Sequence, residues 1–173
     1  EAGQAAGFEH VETLQEPIAA ALAYGFDQSG DGTFLVFDLG GGTFDAALLR
    51  CAAGVFTVIS HRGDNDLGGG KWDTAIVDGL LRPKLRDAGV AVGSAGERTS
   101  KLFRVLKQRA EVARIDLSRR EDTVFNLDGL ADDSGKPLPY EIPITRQEFE
   151  ALIRSDLDLV VDMCRELLAD ARV

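Results

Sequence analysis

A run of three glycines between two apolar stretches constrains this chain more than any other feature. The segment FLVFDLGGGTFDAALL covers residues 34–49, and Asp38 and Asp45 stand on either side of the triplet Gly40–Gly42. The apolar stretches predict two strands. A tight turn between strands needs one or two glycines and no neighbouring charge, so the third glycine and the two aspartates indicate a further role.

A phosphate site with a bound cation explains all of these residues together. Glycines let backbone N–H groups face one point without side chains in the way, and such a nest binds anions. An aspartate beside a phosphate is repelled unless a cation lies between them, and Mg2+ bridges carboxylates to phosphates. Thr43 adds a hydroxyl that can donate to a terminal phosphate or orient a water. The alternative is that the glycines only form a tight hairpin with a bulge.

A second triplet, Gly68–Gly70, lies in the segment DLGGGKWD at residues 66–73. It is less specific, because the same glycines are also explained if the chain only bends there into the start of a helix. The sequence leaves both explanations open.

Composition limits the classes of function. The chain has 173 residues, of which 45% are hydrophobic and 28% charged, as expected for one compact domain or two small lobes with a shared core. Its net charge of -10 argues against nucleic acid and anionic membranes as partners. It has no apolar run long enough to span a bilayer and no amino-terminal signal, so we expect a soluble, cytoplasmic protein. Cys51 and Cys164 lack a metal-binding spacing and are expected to be small buried thiols.

Periodicity and turn signals predict alternating helices and strands. In the first part of the chain we expect a helix that ends at Gly7, a strand at Val11–Leu14, a helix from Pro17 to Gly25, and an antiparallel meander of Thr33–Leu39, Thr43–Cys51 and Gly54–His61. The first strand of the meander is almost wholly apolar and is therefore expected to be covered on both faces.

In the second part of the chain, we expect helices from about Gly69 and over Glu97–Leu117, then strands at Thr123–Leu127 and Tyr140–Thr145. Thr145 and Glu148 form the T-x-x-E pattern of a capping box. This pattern predicts that a final helix begins there, and its apolar periodicity continues almost to Val173.

Five segments together resemble the heat-shock protein 70 chaperone family, which lies within the actin and hexokinase-like ATPase superfamily. DLGGGTFD resembles the family's second phosphate-binding segment, and EPIAAALAYG the helix just before it. GDNDLGGGKWD resembles the next glycine-rich helix entry, AEVARIDLS the adenosine-contacting helix, and TRQEFEALI the start of the following long helix. Order and spacing agree from Glu1 to the end of the chain, so the joint match is far more specific than any one segment.

The resemblance implies an α/β fold of the actin-like, ribonuclease H-like ATPase type. It identifies the chain as a fragment of the nucleotide-binding domain, mostly lobe II, with a mixed sheet, helices and a small α+β subdomain. Residues 1–30 would end lobe I, residues 31–67 and 146–173 would form an incomplete base subdomain of lobe II, and residues 68–145 its upper α+β subdomain. The family's first phosphate loop, catalytic lysine region, closing adenosine segment and peptide-binding domain have no counterpart in these residues. We therefore expect the fragment to be inactive alone.

The resemblance also implies roles at the phosphate end of the nucleotide. Asp38 would hold Mg2+ through water, and the triplet Gly40, Gly41 and Gly42 would contact the outer phosphates together with Thr43. Glu16 and Asp45 would order the attacking water and the metal shell, so Glu16, Thr43 and Asp45 are the implied catalytic residues. Two alternatives remain open: Glu16 caps the helix opened by Pro17, and Asp45 is a solvated strand residue.

At the adenosine end, the resemblance implies that Glu111 and Arg114 contact the ribose and that Ile115 and Ser118 contact the adenine. These four residues fall at i, i+3, i+4 and i+7 and share one helix face, which mixes charged, aliphatic and hydroxyl groups. The alternative is that Glu111 and Arg114 form a surface ion pair of little energetic value.

Four positions depart from the pattern that is usual in the family. Arg114 stands where lysine is usual, which keeps the charge and changes its reach. Gly70 and Lys71 replace residues that are usually acidic, and Gln15 replaces an asparagine. The chain is therefore expected to be a divergent member of the family.

The function implied is part of the ATP-binding and ATP-hydrolysing domain of a stress-response chaperone, with ATP or ADP and Mg2+ as ligands. A J-domain co-chaperone, a nucleotide-exchange factor and unfolded clients are the partners implied for the whole protein. Two alternatives stay open: a lobe that only docks an exchange partner, and a fragment of a small-molecule kinase of the same superfamily. An unpaired sheet edge would also let two fragments pair as a dimer.

Overall fold

The computed structural model describes residues 1–25, 30–90, 101–132, 134–139 and 141–171. The chain divides into two compact units. The first comprises Glu1–Asp38, Asp45–Gly63 and Asp162–Val173, and the second comprises Leu39–Phe44 and Asp64–Val161. The predicted lobe boundaries concern the arrangement of a whole nucleotide-binding domain, and they stay a prediction.

The first unit contains two helices, α1 (Ala2–Ala5) and α2 (Glu16–Ala23), and a three-stranded sheet in the order β1 (Gly32–Leu39), β2 (Phe44–Ala52) and β3 (Val55–Asp64). Only Ala53 and Gly54 separate β2 from β3, and both have positive φ, 50° and 76°. Two central residues of positive φ are what a type I′ hairpin turn requires. Connections this short exclude parallel pairing, so the predicted meander is confirmed.

Helix α2 packs on this sheet through a small apolar core. Ala21 of α2 and Ala47 and Leu49 of β2 are buried, and partly buried apolar residues surround them: Ile18, Val36, Phe56 and Val58. Alanine allows the close approach that a short helix needs against a sheet. Gly25, with φ of 73°, ends the helix as predicted.

Two predictions for the first unit are wrong. Residues 11–14 form no strand, and Val11 and Leu14 are 45% and 59% exposed, because β-prone residues need a partner strand that this segment does not find. β1 is not covered on both faces, since Leu35 and Phe37 are 43% and 51% exposed. Instead β2, the central strand, is buried along most of its length.

The second unit contains a helical path that starts at Gly69, as predicted. It consists of α3 (Gly69–Ile76), a π-helical turn (Val77–Leu81) and α4 (Arg82–Asp87). The π turn comes just before Pro83, which has no N–H and cannot continue the α-helical hydrogen-bond ladder. Helix α5 is described over Lys101–Leu117, and its predicted start at Glu97 lies outside the described residues.

A two-stranded sheet and the start of the last helix complete the second unit. β4 (Asp122–Asn126) and β5 (Glu141–Thr145) pair antiparallel, with Phe125 opposite Ile142. Tyr140, predicted as the first residue of β5, lies outside the described residues. The main core combines these strands with α3, α4 and α5, and its most buried members include Ile76, Leu81, Leu85, Leu106, Phe125 and Ile144. Sheets with helices and a small α+β unit confirm the predicted fold class.

The predicted capping box opens helix α6 (Arg146–Asp170). The Thr145 N–H donates to Glu148 Oε2 at 2.8 Å, and the Glu148 N–H donates to Thr145 Oγ1 at 3.2 Å. Lys84 Nζ donates to the other carboxylate oxygen of Glu148 at 2.8 Å. The hydrogen bonds from Lys84 and Thr145 hold the pKa of the Glu148 carboxyl below its ordinary value.

This lowered pKa makes a pH-dependent contribution to stability. A carboxyl with a depressed pKa stabilises the folded state above its unfolded pKa of about 4.3, and the contribution is lost as the pH falls through the folded pKa. We expect Glu148→Ala to lower the free energy of unfolding by about 1 kcal/mol at pH 7, the usual value of a cap. Glu148→Gln should lose less, because its amide oxygen still accepts the Thr145 N–H.

Urea denaturation at pH 7 and at successively lower pH measures the effect. The difference between the wild type and Glu148→Gln should shrink as the pH falls below about 4.3. A difference that stays constant over this range would show that the charge of Glu148 contributes nothing.

Candidate functional site

The first glycine triplet forms a turn whose outer part has no structural need for glycine. The turn is closed by the Gly40 N–H, which donates to the Thr43 carbonyl at 2.9 Å. Gly41 and Gly42 have no positive φ, and an added Cβ on either would meet nothing within 4 Å. Neither turn geometry nor packing explains these two glycines, which argues against the simple hairpin alternative. What their lack of side chains does provide is an open approach to the backbone.

The backbone N–H groups at this point are available to a ligand. Within the part of the chain that the structure describes, the N–H groups of Gly41 and Gly42 donate no backbone hydrogen bond. Both residues are exposed. An open pair of consecutive N–H groups has the chemistry of an anion-binding nest.

The second triplet packs directly against the first. The Gly69 N–H donates to the Gly40 carbonyl at 3.0 Å, and the Gly70 N–H donates to the Gly41 carbonyl at 2.7 Å. A Cβ on Gly68 would lie 2.8 Å from the Gly40 oxygen, a distance that real Cβ atoms do not reach. The second triplet therefore does more than bend the chain into α3, because its close approach also supports the turn of the first triplet.

A cavity of about 790 Å3 lies beside the two triplets within the second unit. Gly41, Gly42 and Gly70 line it together with two lysines, Lys71 of α3 and Lys107 of α5. Lys71 Nζ donates to Asp156 Oδ1 at 2.9 Å, and this hydrogen bond raises the pKa of the lysine. Sequence analysis missed Lys107, because one lysine on a charged helix carries no signal by itself.

The first unit brings together the three carboxylates that were predicted to serve the metal and the water. Glu16, Asp38 and Asp45 line one cavity of about 140 Å3, and His61 is a fourth polar residue there. Oxygen donors of this kind suit Mg2+. Among the described residues, no three Asp, Glu, His or Cys side chains are arranged to hold a metal ion directly. The role implied for Asp38, which is to hold Mg2+ through water, stays a prediction.

The positions of Glu16 and Asp45 bear on the alternatives left open by the sequence. The N-cap of α2 is Gln15, Glu16 is in the first turn, and no side chain makes a cap hydrogen bond. Helix capping therefore does not account for Glu16. Asp45 is exposed and also lines the carboxylate cavity, so both of its explanations stay open.

Three of the four residues predicted for adenosine line one cavity in the second unit. Arg114 and Ile115 of α5, and Ser118 in the turn just after it, border a space of about 490 Å3. Trp72 and Phe149 also line it, with their rings edge to face and 6.4 Å between centroids. Ile115 is 48% exposed and thus presents an aliphatic surface on which a flat base can pack. The fourth predicted residue, Glu111, is exposed on the same helix and is not among the lining residues.

Arg114 is held by a partner that sequence analysis missed. Its Nε donates to Asp73 Oδ1 at 2.6 Å and its Nη2 to Oδ2 at 3.4 Å. The Asp73 side chain is only 6% exposed, so this is a mostly desolvated pair rather than the surface pair with Glu111 considered above. An added Cβ on Gly69 would lie 2.9 Å from Arg114 Nη2, which shows how closely the guanidinium lies against the start of α3.

The hydroxyl of Ser118, in the turn after α5, is directed at the last turn of that helix. Its Oγ donates to the Ile115 carbonyl at 2.6 Å, which leaves the lone pairs of the oxygen free to accept. An acceptor suits the amino group of an adenine.

None of the helices in the described part of the chain has the length and apolar character needed to cross a bilayer.

Two glycine substitutions separate the structural triplet from the open one. We expect Gly68→Ala to lower the free energy of unfolding by about 1–3 kcal/mol, because its Cβ would press on the Gly40 carbonyl. Gly41→Ala should leave stability within about 0.5 kcal/mol, since its Cβ would point into open space. Chemical denaturation of the two variants beside the wild type measures both values, and equal losses would contradict the contact between the triplets.

The comparison with protein families covers the complete sequence. A family model described as Hsp70 protein matches residues 1–173, the whole chain. The match includes both glycine triplets, the three carboxylates and helix α5, whose geometry is given above. The chain therefore belongs to the Hsp70 family.

Proposed function

We propose that this chain supplies the phosphate loop and the adenosine-contacting helix of a chaperone domain that binds and hydrolyses ATP. Membership of the Hsp70 family supports a chaperone-type ATPase domain. The observation that carries the finer proposal is the open pair Gly41–Gly42. Nothing in the local backbone or packing requires glycine there. The missing side chains leave the two N–H groups open to an anionic ligand.

At the phosphate end, the chain's own groups would stabilise the negative charge of the phosphates and would position water molecules. The Gly41 and Gly42 N–H groups would donate to phosphate oxygens, where fixed dipoles stabilise developing negative charge. Mg2+, when bound, would neutralise the phosphate charge, and Asp38 would hold it through water. Glu16 and Asp45 would accept hydrogen bonds from that water shell and from the attacking water. The Thr43 hydroxyl would donate to the terminal phosphate.

At the adenosine end, α5 would position the nucleoside. Arg114 is fixed by Asp73, so the guanidinium N–H groups that Asp73 leaves free can donate to ribose oxygens without a large loss of side-chain entropy. Ile115 would pack on the adenine, and Ser118 would accept from its amino group. Glu111 would reach the ribose from the neighbouring turn of the helix.

The chaperone proposal extends to partners of the whole protein. A J-domain co-chaperone, a nucleotide-exchange factor and unfolded clients are the partners typical of the family. We favour this proposal over a small-molecule kinase, because the family match spans the whole chain.

Nucleotide binding by the 173-residue chain is the first test. We expect ATP and ADP to bind with a Kd of about 0.1 mM or weaker, which corresponds to about 5 kcal/mol. An NMR titration should move two groups of amides together, those of Gly40–Thr43 and those of Glu111–Ser118. Asp38→Asn should reduce the effect of Mg2+ on the titration and leave the shifts of the α5 amides in place.

GTP is the matched control ligand for that titration. A guanine presents an oxygen where adenine has its amino group, so an accepting Ser118 should disfavour it. GTP shifts as large as those of ATP would contradict adenine recognition by α5. If neither ATP nor ADP moves either of the two groups of amides at millimolar concentration, the proposed function fails for this chain.

Turnover is a separate expectation. We expect steady-state phosphate release by the 173-residue chain to stay at background, because these residues contain no counterpart of the family's first phosphate loop. A coupled phosphate-release assay with Mg2+ measures it. Sustained, Mg2+-dependent release that Asp38→Ala abolishes would overturn this expectation.

A further inference from the structure

Lys107 is a half-buried cation beside the phosphate loop that has no assigned role. It lies on α5, one turn before Glu111, and lines the cavity beside Gly41 and Gly42. Its Nζ is 3.6 Å from the position that a Cβ on Gly70 would occupy. The ammonium therefore lies against the junction of the two glycine triplets.

Three other charged residues line this cavity, and two of them are paired within the chain. Lys71 is paired with Asp156 at 2.9 Å. Asp78 is paired with Arg82 at 3.0 Å. Asp66 lines the cavity as an exposed carboxylate. Within the described part of the chain, Lys107 is half-buried and takes part in no hydrogen bond or ion pair, so its ammonium is available to an anionic ligand.

Because position 70 is a glycine, it offers no side chain that could pair with Lys107. A carboxylate there would extend from a Cβ only 3.6 Å from the ammonium and would pair with it. With glycine, the positive charge remains directed at the cavity.

We propose that Lys107 is the cation that contacts the phosphates of a nucleotide held at Gly41 and Gly42, and that Gly70 keeps it free for this contact. The proposal rests on the proposed function and adds a residue to it. Gly41, Gly42 and Lys107 line the same cavity, and two N–H groups without backbone partners together with an ammonium suit a polyphosphate. A single ammonium is a point charge, so its effect should grow with the charge of the ligand.

The test is a set of titrations of the 173-residue chain with ATP, ADP, AMP and tripolyphosphate, followed at the Gly41 and Gly42 amides at fixed salt. We expect Lys107→Gln to weaken ATP and tripolyphosphate binding about tenfold, ADP binding less, and AMP binding hardly at all. Lys107→Arg should keep most of the affinity, because it keeps the charge. Thermal unfolding of each variant checks that it folds.

A second pair of variants tests the same charge without changing Lys107. Gly70→Glu should weaken ATP binding about tenfold by pairing with Lys107 in place of the ligand. Gly70→Gln is its matched control, because both variants place a Cβ 3.0 Å from the Gly41 oxygen, their side chains have the same size, and only one adds charge. The ratio of ATP affinities of Gly70→Gln and Gly70→Glu therefore isolates the electrostatic effect.

The outcomes separate this proposal from the proposed function. If the wild type binds ATP and Lys107→Gln binds it equally well, or loses AMP as strongly as ATP, the role of Lys107 is wrong and the nucleotide site stands. If the wild type binds tripolyphosphate through Lys107 but neither ATP nor ADP, the phosphate contact stands and the nucleotide function fails. If none of the four ligands binds, both are wrong.

Discussion

The pairing of the two glycine triplets is the contact on which the site in the second unit depends. Two N–H groups at the start of α3 need partners, and they find them in the carbonyls of Gly40 and Gly41. This contact brings the backbone of the first turn of α3 within hydrogen-bond distance of the turn at Gly40–Thr43. It thereby positions Asp73, which holds Arg114, and Gly70, which lies next to Lys107. A side chain on Gly68 would separate these parts.

Local chemistry made much of the fold predictable from the sequence. The T-x-x-E pattern at Thr145 specifies its own hydrogen bonds, and the structure contains them. The short connection between β2 and β3 similarly allows only antiparallel pairing. These features need no information beyond a few neighbouring residues. The segment Val11–Leu14 shows the limit, because β-prone residues form a strand only if tertiary structure provides a partner.

In the candidate site too, residues that are close in sequence were predictable and contacts between distant residues were not. The glycines and the two aspartates of Asp38–Asp45 are close together in sequence. Their residue types alone indicate a site for an anion together with a bound cation. The partner of Arg114 is 41 positions away, and no local pattern connects Asp73 to it. The proposed role of Lys107 was not predictable either, because it depends on the absence of a side chain at Gly70. Contacts between distant segments and the effects of absent side chains are what a single sequence conceals.

The hairpin turn between β2 and β3 has a consequence for how the first unit folds. Ala53 adopts a left-handed conformation with φ of 50°, which an alanine reaches only at a cost of about 1–2 kcal/mol. The turn therefore opposes the hairpin instead of starting it, and the pairing must be driven by buried residues of β2 such as Leu49. The stability of this hairpin is therefore tied to the packing of α2 on the sheet, whose buried contacts have to offset the strain at Ala53.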